Sequence, residues 1–393
     1  MNTFNSFLIF SVTITMLSCS SDKIEISKDF DHGSIGELEE VEPGYFRGPA
    51  KHWIKRDSIG DQYYWFYFKA DNVKGKEVTF ELTNLEGIYR GTKHLVYTDY
   101  TQPVFSYDKE NWNRISNVKY NKEAKSFTFK QTFNRSSVWI AFAHPYSLSR
   151  YEDFITQLES KKHAGLQKIT ESVEGRDIHM ATITDQGVPE QNKKHILFIA
   201  LQHAGEDAGG YYMEGMINYL LSESPGAVKA RRKFVFYMVP MMNPDGIYKG
   251  ITRYNANMED LNNVWIGNGN NEPEVEGIKD WVNRFYKNGN QLDLFIDVHN
   301  HTQKYRINLF FSTNDNMDDL AHSMQPYWPV EFRSSSFGNS ARSFASEMNI
   351  LGGTLELSQS KIGKYGEYLT INDYHKFGAG TVKGIMEYFF PDD

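Results

Sequence analysis

The chain has 393 residues, of which 40% are hydrophobic and 23% charged, a composition typical of a folded globular protein rather than a disordered one. Its length favours two domains over one. The formal net charge of −8 argues against nucleic acid as a partner, because phosphate binding requires a basic surface.

The first residues have the pattern of an export signal followed by a lipid attachment site. Residues 7–17 form an apolar stretch that is too short to span a membrane and is typical of a signal peptide. Cys19, the only cysteine in the chain, directly follows the small residue Ser18, and this pattern resembles a bacterial lipobox. Residues 1–5 contain no Lys or Arg, so a plain secretory signal with an incidental cysteine is the alternative.

We predict a signal peptide over residues 1–18 and a lipidated Cys19. The protein would then be a lipoprotein of a bacterial cell envelope, attached to the membrane by its lipid alone. No later stretch has the length and apolarity of a membrane-spanning helix. A single cysteine also excludes an internal disulfide.

Strand patterns dominate residues 51–148. Residues 63–68 are consecutive aromatics, which strands favour, and residues 78–82 and 127–130 alternate between the two faces of a strand. Residues 138–142 complete the set. We predict an all-β sandwich domain over residues 51–148, preceded by a polar linker with a first edge strand over residues 19–50.

From residue 149 onward, strand patterns alternate with helix patterns. This alternation predicts an α/β domain over residues 149–393, with a mostly parallel sheet covered by helices on both faces. The predicted strands lie at residues 177–183, 195–201, 233–239 and 292–298, and the predicted helices lie at residues 151–161, before Leu221, at residues 278–286 and at residues 378–389.

Potential metal ligands follow two of these buried strands. His203 and Glu206 come directly after the strand at residues 195–201, and His299 ends the strand that begins near residue 292. Parallel strands end at one edge of a sheet, where sites in α/β proteins are built. Two imidazoles and one carboxylate are a common ligand set for hydrolytic zinc. Each residue alone has an ordinary explanation: Glu206 as a charge in the first turn of a helix, and each histidine as a structural hydrogen-bonding group.

Glu356 is the fourth candidate. It lies between apolar neighbours in a strand, a costly position for a carboxylate unless it is paired or functional.

The order of the motifs resembles that of the zinc carboxypeptidase superfamily, and within it the cytosolic-carboxypeptidase-like branch. That branch typically carries H-P-G-E, V-P-M-x-N-P-D-G, D-L-N-R-x-W and D-x-H-G-H. This chain carries H-A-G-E from His203, V-P-M-M-N-P-D-G from Val239, D-L-N-N-V-W from Asp260 and D-V-H-N-H from Asp297. The sandwich is similar to the domain that precedes the catalytic domain in that branch, so the resemblance covers nearly the whole mature chain.

The resemblance implies a carboxypeptidase-type mixed sheet and zinc-dependent hydrolysis of peptide or amide bonds. His203, Glu206 and His299 would then bind one Zn²⁺ ion, and Glu356 would act as the general base. Arg253 would stabilise the oxyanion and contact the substrate. Asn262 and Asn263 would also lie at the substrate.

Two departures from the family pattern affect substrate recognition. Asn263 stands where the family usually has an arginine that binds the terminal carboxylate of the substrate, and an amide cannot replace a guanidinium in that contact. Residues 334–353 contain no tyrosine, although the family has a mobile one in this region. We therefore expect weak release of C-terminal residues from ordinary peptides unless Arg306, Arg333 or Arg342 supplies the missing cation.

Two alternatives follow from these departures. One is an amidase or esterase of the same fold that acts on cell-wall or glycan-derived substrates without a free terminal carboxylate. The other is a lipoprotein that binds peptides or glycans without catalysis.

Overall fold

The structure, a computed structural model, describes residues 23–57, 60–89, 91–267, 271–301, 307–314, 316–336, 338–359 and 366–392. The predicted signal peptide and Cys19 lie outside the described residues. Among the helices of the described ranges, none combines the length and the apolarity needed to cross a membrane.

The N-terminal part of the described chain is an all-β sandwich of two sheets. One sheet has the strand order β1-β6-β14-β10-β11 and the other β12-β13-β7-β3-β2. The strands of the two sheets are β1 (Glu25–Ser27), β2 (Glu39–Glu42), β3 (Tyr45–Pro49), β6 (Tyr67–Asp71), β7 (Glu77–Thr83), β10 (Val104–Ser106), β11 (Trp112–Arg114), β12 (Val118–Asn121), β13 (Ser126–Thr132) and β14 (Val138–Ala141). Two hairpins lie outside these sheets, one of β4 (Trp53–Ile54) and β5 (Asp61–Gln62) and the other of β8 (Gly87–Tyr89) and β9 (Thr92–His94). The strands of the two sheets pack face to face. Their alternating residues enclose a core rich in phenylalanine, including Phe68, Phe80, Phe127 and Phe129.

The sandwich begins earlier in the chain than the sequence predicted. Residues 25–49, which we assigned mainly to a linker, contain β1, β2 and β3. β1 pairs with β6, and β3 pairs in parallel with β7, so β1 belongs to one main sheet and β3 to the other. These strands are short, and β2 is exposed along its whole length, so they lack the apolar alternation that identifies a strand in a sequence.

The aromatic run at residues 63–68 is only partly a strand. β6 begins at Tyr67, whereas residues 63–66 are buried without belonging to a strand. Tyr63 and Phe66 pack in the core of the sandwich, whereas Tyr64 and Trp65 also lie against Gly205 of the other domain. Aromatic side chains are favoured at such buried contacts as much as in a sheet.

The C-terminal part is an α/β domain around one mixed sheet with the order β15-β16-β18-β17-β19-β22-β20-β21. The pairs β18–β17, β17–β19 and β19–β22 at its centre are parallel. The strands are β15 (Ala164–Glu171), β16 (Asp177–Ile183), β17 (Lys194–Ala200), β18 (Phe234–Val239), β19 (Leu294–His301), β20 (Asn308–Ser312), β21 (Val330–Ser334) and β22 (Leu351–Ser358).

Helices cover both faces of this sheet, which confirms the predicted fold class. Side chains of α2, α6 and α8 pack in one core layer, and those of α5 and α7 pack in the other. The helices are α1 (Leu148–Leu158), α2 (Ala208–Leu221), α3 (Pro225–Lys233), α4 (Pro244–Tyr248), α5 (Pro273–Lys287), α6 (Asn316–Met324), α7 (Ala341–Glu347) and α8 (Ile371–Phe389).

The sandwich packs against the loop that follows β17. The carbonyl oxygen of Thr252 accepts a hydrogen bond from the amide of Gly205 at 2.8 Å and one from the Tyr64 hydroxyl at 3.4 Å. Buried His32 places Nε2 2.9 Å from Oδ1 of Asp207, and its ring stacks on Trp65 with centroids 4.3 Å apart. The sandwich therefore supports the segment in which the sequence places the first two metal ligands.

Candidate metal centre and active site

Three parallel strands bring the candidate residues to one edge of the sheet. β17 ends at Ala200, and Leu201 follows in the left-handed conformation with φ of 58°, which turns the chain out of the strand before His203. His299 lies near the end of β19, and Glu356 in β22 is its direct partner in the register. The side chains named from the sequence therefore meet because the strands are parallel and in register.

His203, Glu206 and His299 form one buried cluster. Oε1 of Glu206 lies 2.8 Å from Nδ1 of His203, and Oε2 of Glu206 lies 2.8 Å from Nδ1 of His299. The two Nδ1 atoms are 3.0 Å apart, and one ligand atom from each residue lies within 4.8 Å of the others. The cluster thus gathers the three side chains predicted to bind the metal.

Two further carboxylates orient the imidazoles. Oδ1 of Asp260 lies 3.0 Å from Nε2 of His203, and Oδ2 of Asp297 lies 2.7 Å from Nε2 of His299. Each carboxylate accepts a hydrogen bond from the Nε2–H of one histidine, which leaves a lone pair on the Nδ1 atom of each ring. Two lone pairs and a carboxylate facing each other at these distances form a donor set that a divalent cation satisfies, so the residues fit zinc.

Asp260 and Asp297 are site residues whose role the sequence alone did not reveal. A signal for Asp297 was present, because it stands two residues before His299 in a strand and therefore shares its face. Asp260 lies in a loop, and only folding shows that it reaches His203.

Arg253 lies beside the cluster with an exposed side-chain fraction of 12%. Its Nε donates to Oδ2 of Asp260 at 2.9 Å, and its Nη1 lies 3.6 Å from Oε1 of Glu206. Burial alone would raise the pKa of Asp260, but Arg253 and His203 together hold this pKa below its usual range. The Arg253 guanidinium is thus fixed at the edge of the metal site.

A cavity of about 250 Å³ opens onto the cluster, and both domains line it. Glu356 is among its lining residues, and burial raises the pKa of this carboxyl to about 7. The α/β domain supplies His203, Glu206, Arg253, Asn262, Asn300, His301, Arg342, Thr354 and Glu356, and the sandwich supplies Gln62, Tyr64, Tyr89, His94 and Val96.

The two predicted substrate-binding asparagines differ in position. Asn262 lines the cavity, with Nδ2 3.2 Å from Nε2 of His299. Its Oδ1 accepts the amide of Ala341 at 3.1 Å, which ties the start of α7 to the site. Asn263 donates from Nδ2 to Oδ2 of Asp260 at 3.3 Å and is not among the described residues that line the cavity.

The three arginines that could supply the missing cation also differ in position. Arg342 lines the cavity with 7% of its surface exposed, and its guanidinium carbon lies 5.7 Å from the centre of the Phe311 ring. Arg333 is 43% exposed beside Glu331, and Arg306 lies outside the described residues. Among the described candidates, Arg342 is the one that the fold brings to the cavity.

Two family models match the chain. A zinc carboxypeptidase model matches residues 151–325, and a cytosolic carboxypeptidase N-terminal domain model matches residues 26–143. The chain is 26% identical over 382 residues to cytosolic carboxypeptidase 6 of Mus musculus, covering 91% of this chain and 68% of that protein. The human protein of the same name is also 26% identical over 382 residues, covering 91% of this chain and 73% of its own length.

Solved structures share the fold. A metallo-carboxypeptidase from Burkholderia cenocepacia aligns with a TM-score of 0.81 at 20% identity and covers 94% of this chain and 100% of its own. One from Pseudomonas aeruginosa, in complex with (2-guanidinoethylmercapto)succinic acid, aligns with a TM-score of 0.77 at 22% identity and covers 94% of this chain and 99% of its own. Neither the amidase or esterase alternative nor the binding alternative gains support from these matches.

Proposed function

Because the chain belongs to the zinc carboxypeptidase family and has its fold, we propose that it removes C-terminal residues from peptides with Glu356 and Arg253 as its catalytic side chains. The observation that carries this proposal is the buried cluster of His203, Glu206 and His299, because two of its members, His203 and Glu206, line the same cavity as Glu356 and Arg253. A hydrolytic site needs an open metal, a base and a group that stabilises negative charge, and this cavity offers candidates for all three.

The residue types suit the reaction. His203, Glu206 and His299 would hold a zinc ion, whose positive charge would polarise the scissile carbonyl and lower the pKa of water. Glu356 takes a proton from the attacking water and passes it to the amine that leaves. The Arg253 guanidinium donates to the carbonyl oxygen as negative charge develops on it.

Arg342 is our candidate for the cation that binds the terminal carboxylate of the substrate. Its burial against the cavity supports this role, because a guanidinium at a desolvated site binds a carboxylate through two parallel hydrogen bonds. Asn262 anchors the start of α7, the helix that carries Arg342. This arrangement offers a substitute for the arginine missing at Asn263.

A peptide screen tests the proposal. Zinc-loaded protein should release the last residue of free peptides, should not cleave the same peptides with an amidated C-terminus, and should lose activity to a chelator. Arg342→Gln should lower kcat/KM for free peptides by about 30-fold or more, as expected when one partner of a buried charge pair is removed.

Arg333→Gln is the matched control, because Arg333 is 43% exposed beside Glu331. It should leave kcat/KM within about twofold, since exposed ion pairs contribute little. Equal hydrolysis of amidated peptides, or equal loss in the two variants, would contradict the role of Arg342.

We further propose that the protein is a lipoprotein of a bacterial cell envelope. The support is the sequence alone: the apolar stretch at residues 7–17 and the single Cys19 after Ser18. Cys19→Ser should move the protein from the membrane fraction to the soluble fraction, and mass spectrometry of the wild type should find a lipid on Cys19. A soluble wild type without that lipid would refute the proposal.

A further inference from the structure

The β8–β9 hairpin of the sandwich forms part of the cavity wall. Tyr89 at the end of β8 lines the cavity, whereas the adjacent Ile88 is 40% exposed to solvent, as expected for neighbouring residues of a strand. His94 at the end of β9 also lines the cavity, and its ring lies edge-on to that of Tyr89 with centroids 5.9 Å apart. The hairpin thus presents one aromatic face to the site.

Contacts within the sandwich hold this hairpin in place. The Tyr63 hydroxyl donates to the carbonyl of His94 at 3.2 Å and accepts the amide of Val96 at 3.0 Å. The Tyr63 ring lies so close to Gly87 that a β-carbon there would come within 2.7 Å of it. The tight packing of Gly87 and the two bonds around His94 fix the direction in which Tyr89 points.

Tyr89 contacts Arg253 of the other domain in two ways. Nη2 of Arg253 donates to the Tyr89 hydroxyl at 3.3 Å, and the guanidinium carbon lies 5.0 Å from the centre of the Tyr89 ring. A cation at this distance from an aromatic face is attracted by the ring in addition to the hydrogen bond.

The remaining contacts of the Arg253 guanidinium explain why this matters. Asp260 accepts from Nε and Glu206 lies near Nη1, and both carboxylates belong to the metal centre. These two anions draw the guanidinium toward the metal ligands. The phenol and ring of Tyr89 give Nη2 a neutral partner, so that the guanidinium keeps one orientation without another negative charge beside it.

We infer that Tyr89 is a positioning residue of the active site, supplied by the sandwich domain, which holds the Arg253 guanidinium in the orientation that the reaction requires. This inference rests on the proposed role of Arg253. It gives the sandwich a part in turnover beyond the structural support of the metal loop.

The test is a double-mutant cycle on the full-length protein. Tyr89→Phe removes the hydroxyl and keeps the ring, and Arg253→Lys keeps the charge and removes the planar fork. Tyr89→Phe should lower kcat by about tenfold, the effect of one hydrogen bond to a charged group, with KM changed less than threefold. Tyr89→Phe should have little further effect in the Arg253→Lys background, because Tyr89 acts through Arg253.

Tyr100→Phe is the matched control. Tyr100 belongs to the same domain, is 42% exposed and is not among the described residues that line the cavity. This variant should keep the kcat and KM of the wild type.

The free energies of unfolding of the wild type, both single variants and the double variant are measured with denaturant, which needs no substrate. Non-additive effects of the two substitutions on both the unfolding free energy and kcat support the inference. Additive effects on the unfolding free energy would show that the two side chains do not interact, and non-additive effects on the unfolding free energy with additive effects on kcat would show that Tyr89 does not position Arg253 for the reaction. A wild type that binds zinc but hydrolyses no peptide refutes the proposed function, and the unfolding cycle then still decides whether Tyr89 holds Arg253.

Discussion

The catalytic-domain wall of the cavity and its sandwich-domain wall are built from different kinds of side chain. The first carries the charged groups, among them Glu206, Arg253 and Glu356, and the second presents uncharged polar and aromatic groups such as Gln62 and Tyr89. Glu206 and Glu356 reach the site because the one follows and the other lies in parallel strands whose ends coincide, whereas the sandwich residues reach it only through the packing of one domain on the other. The local sequence therefore indicates most of the charged groups of the first wall, whereas only the tertiary structure reveals which groups form the second.

The largest expected effect is on the metal ligands. His203→Ala and His299→Ala should each abolish peptide hydrolysis and remove stoichiometric zinc, because each variant leaves two of three protein ligands. Metal analysis of the purified variants, together with circular dichroism to check folding, is the measurement. Full zinc retention in both variants would remove the basis for this site.

Glu356→Gln should separate metal binding from turnover. The amide keeps the size of the side chain but cannot take a proton from water, so kcat should fall by about 10²–10⁴-fold while zinc content stays at the wild-type level. Steady-state kinetics and metal analysis on one preparation provide both numbers. An unchanged kcat would mean that another group activates the water.

On the sandwich side, His32→Ala should affect stability. It removes one partner of the buried pair with Asp207, whose two side chains are 0% and 1% exposed, and such losses cost about 3–5 kcal/mol in the free energy of unfolding. Lys28→Ala is the control, since Lys28 and its partner Glu37 are 36% and 92% exposed, and it should cost less than about 1 kcal/mol. Urea unfolding measures both, and similar losses would argue against a supporting role for the buried pair.

The loop that carries Arg253 and Asp260 contacts Glu274, a buried carboxyl whose ionisation makes the stability of the fold depend on pH. Asn255 in this loop donates to buried Glu274 at 3.3 Å, and burial raises the pKa of Glu274 to about 7. The folded protein therefore keeps the Glu274 proton up to about pH 7, whereas the unfolded chain loses it near the usual value of 4.5. Stability from this group is complete below about pH 4.5 and is lost as the pH rises to about 7.

Glu274→Gln should remove this pH dependence, since the amide stays neutral at every pH. The difference in unfolding free energy between pH 4.5 and 7 should be at most about 3.4 kcal/mol, at 1.36 kcal/mol for each pKa unit between the usual pKa of 4.5 and the raised pKa of about 7. Glu276→Gln on the same helix is the control, because Glu276 is 34% exposed beside Lys279. If wild type and Glu274→Gln follow the same curve from pH 4.5 to 7, Glu274 is ionised in the folded protein throughout.

The fold class and the metal cluster could be predicted because they depend on periodicity and on residue types at strand ends. β17 and β19 are long, apolar and parallel, so their ends coincide whatever the loops do. The early strands of the sandwich could not be predicted in this way, since β2 is short, polar and exposed. Tyr89 carries no motif, and its relation to Arg253 spans 164 positions in the chain.

Arg342 illustrates the same limit within one segment. Arg333 and Arg342 stand nine positions apart and look alike in the sequence, yet one is half-exposed at the end of β21 and the other is buried at the start of α7. The difference arises because Asn262 ties the start of α7 to the cavity. No local pattern encodes that contact, so only the structure shows which of the two arginines lines the cavity.

The shared carbonyl of Thr252 has a consequence for synthesis of the protein. It joins Gly205 and Tyr64, and the latter contact spans 188 positions of the chain. The cavity as a whole needs residues from Gln62 to Glu356, so the ribosome must synthesise the chain through Glu356 before the two walls of the cavity can meet. A nascent chain that ends before Glu356 therefore has no complete active site, and it cannot hydrolyse other nascent polypeptides.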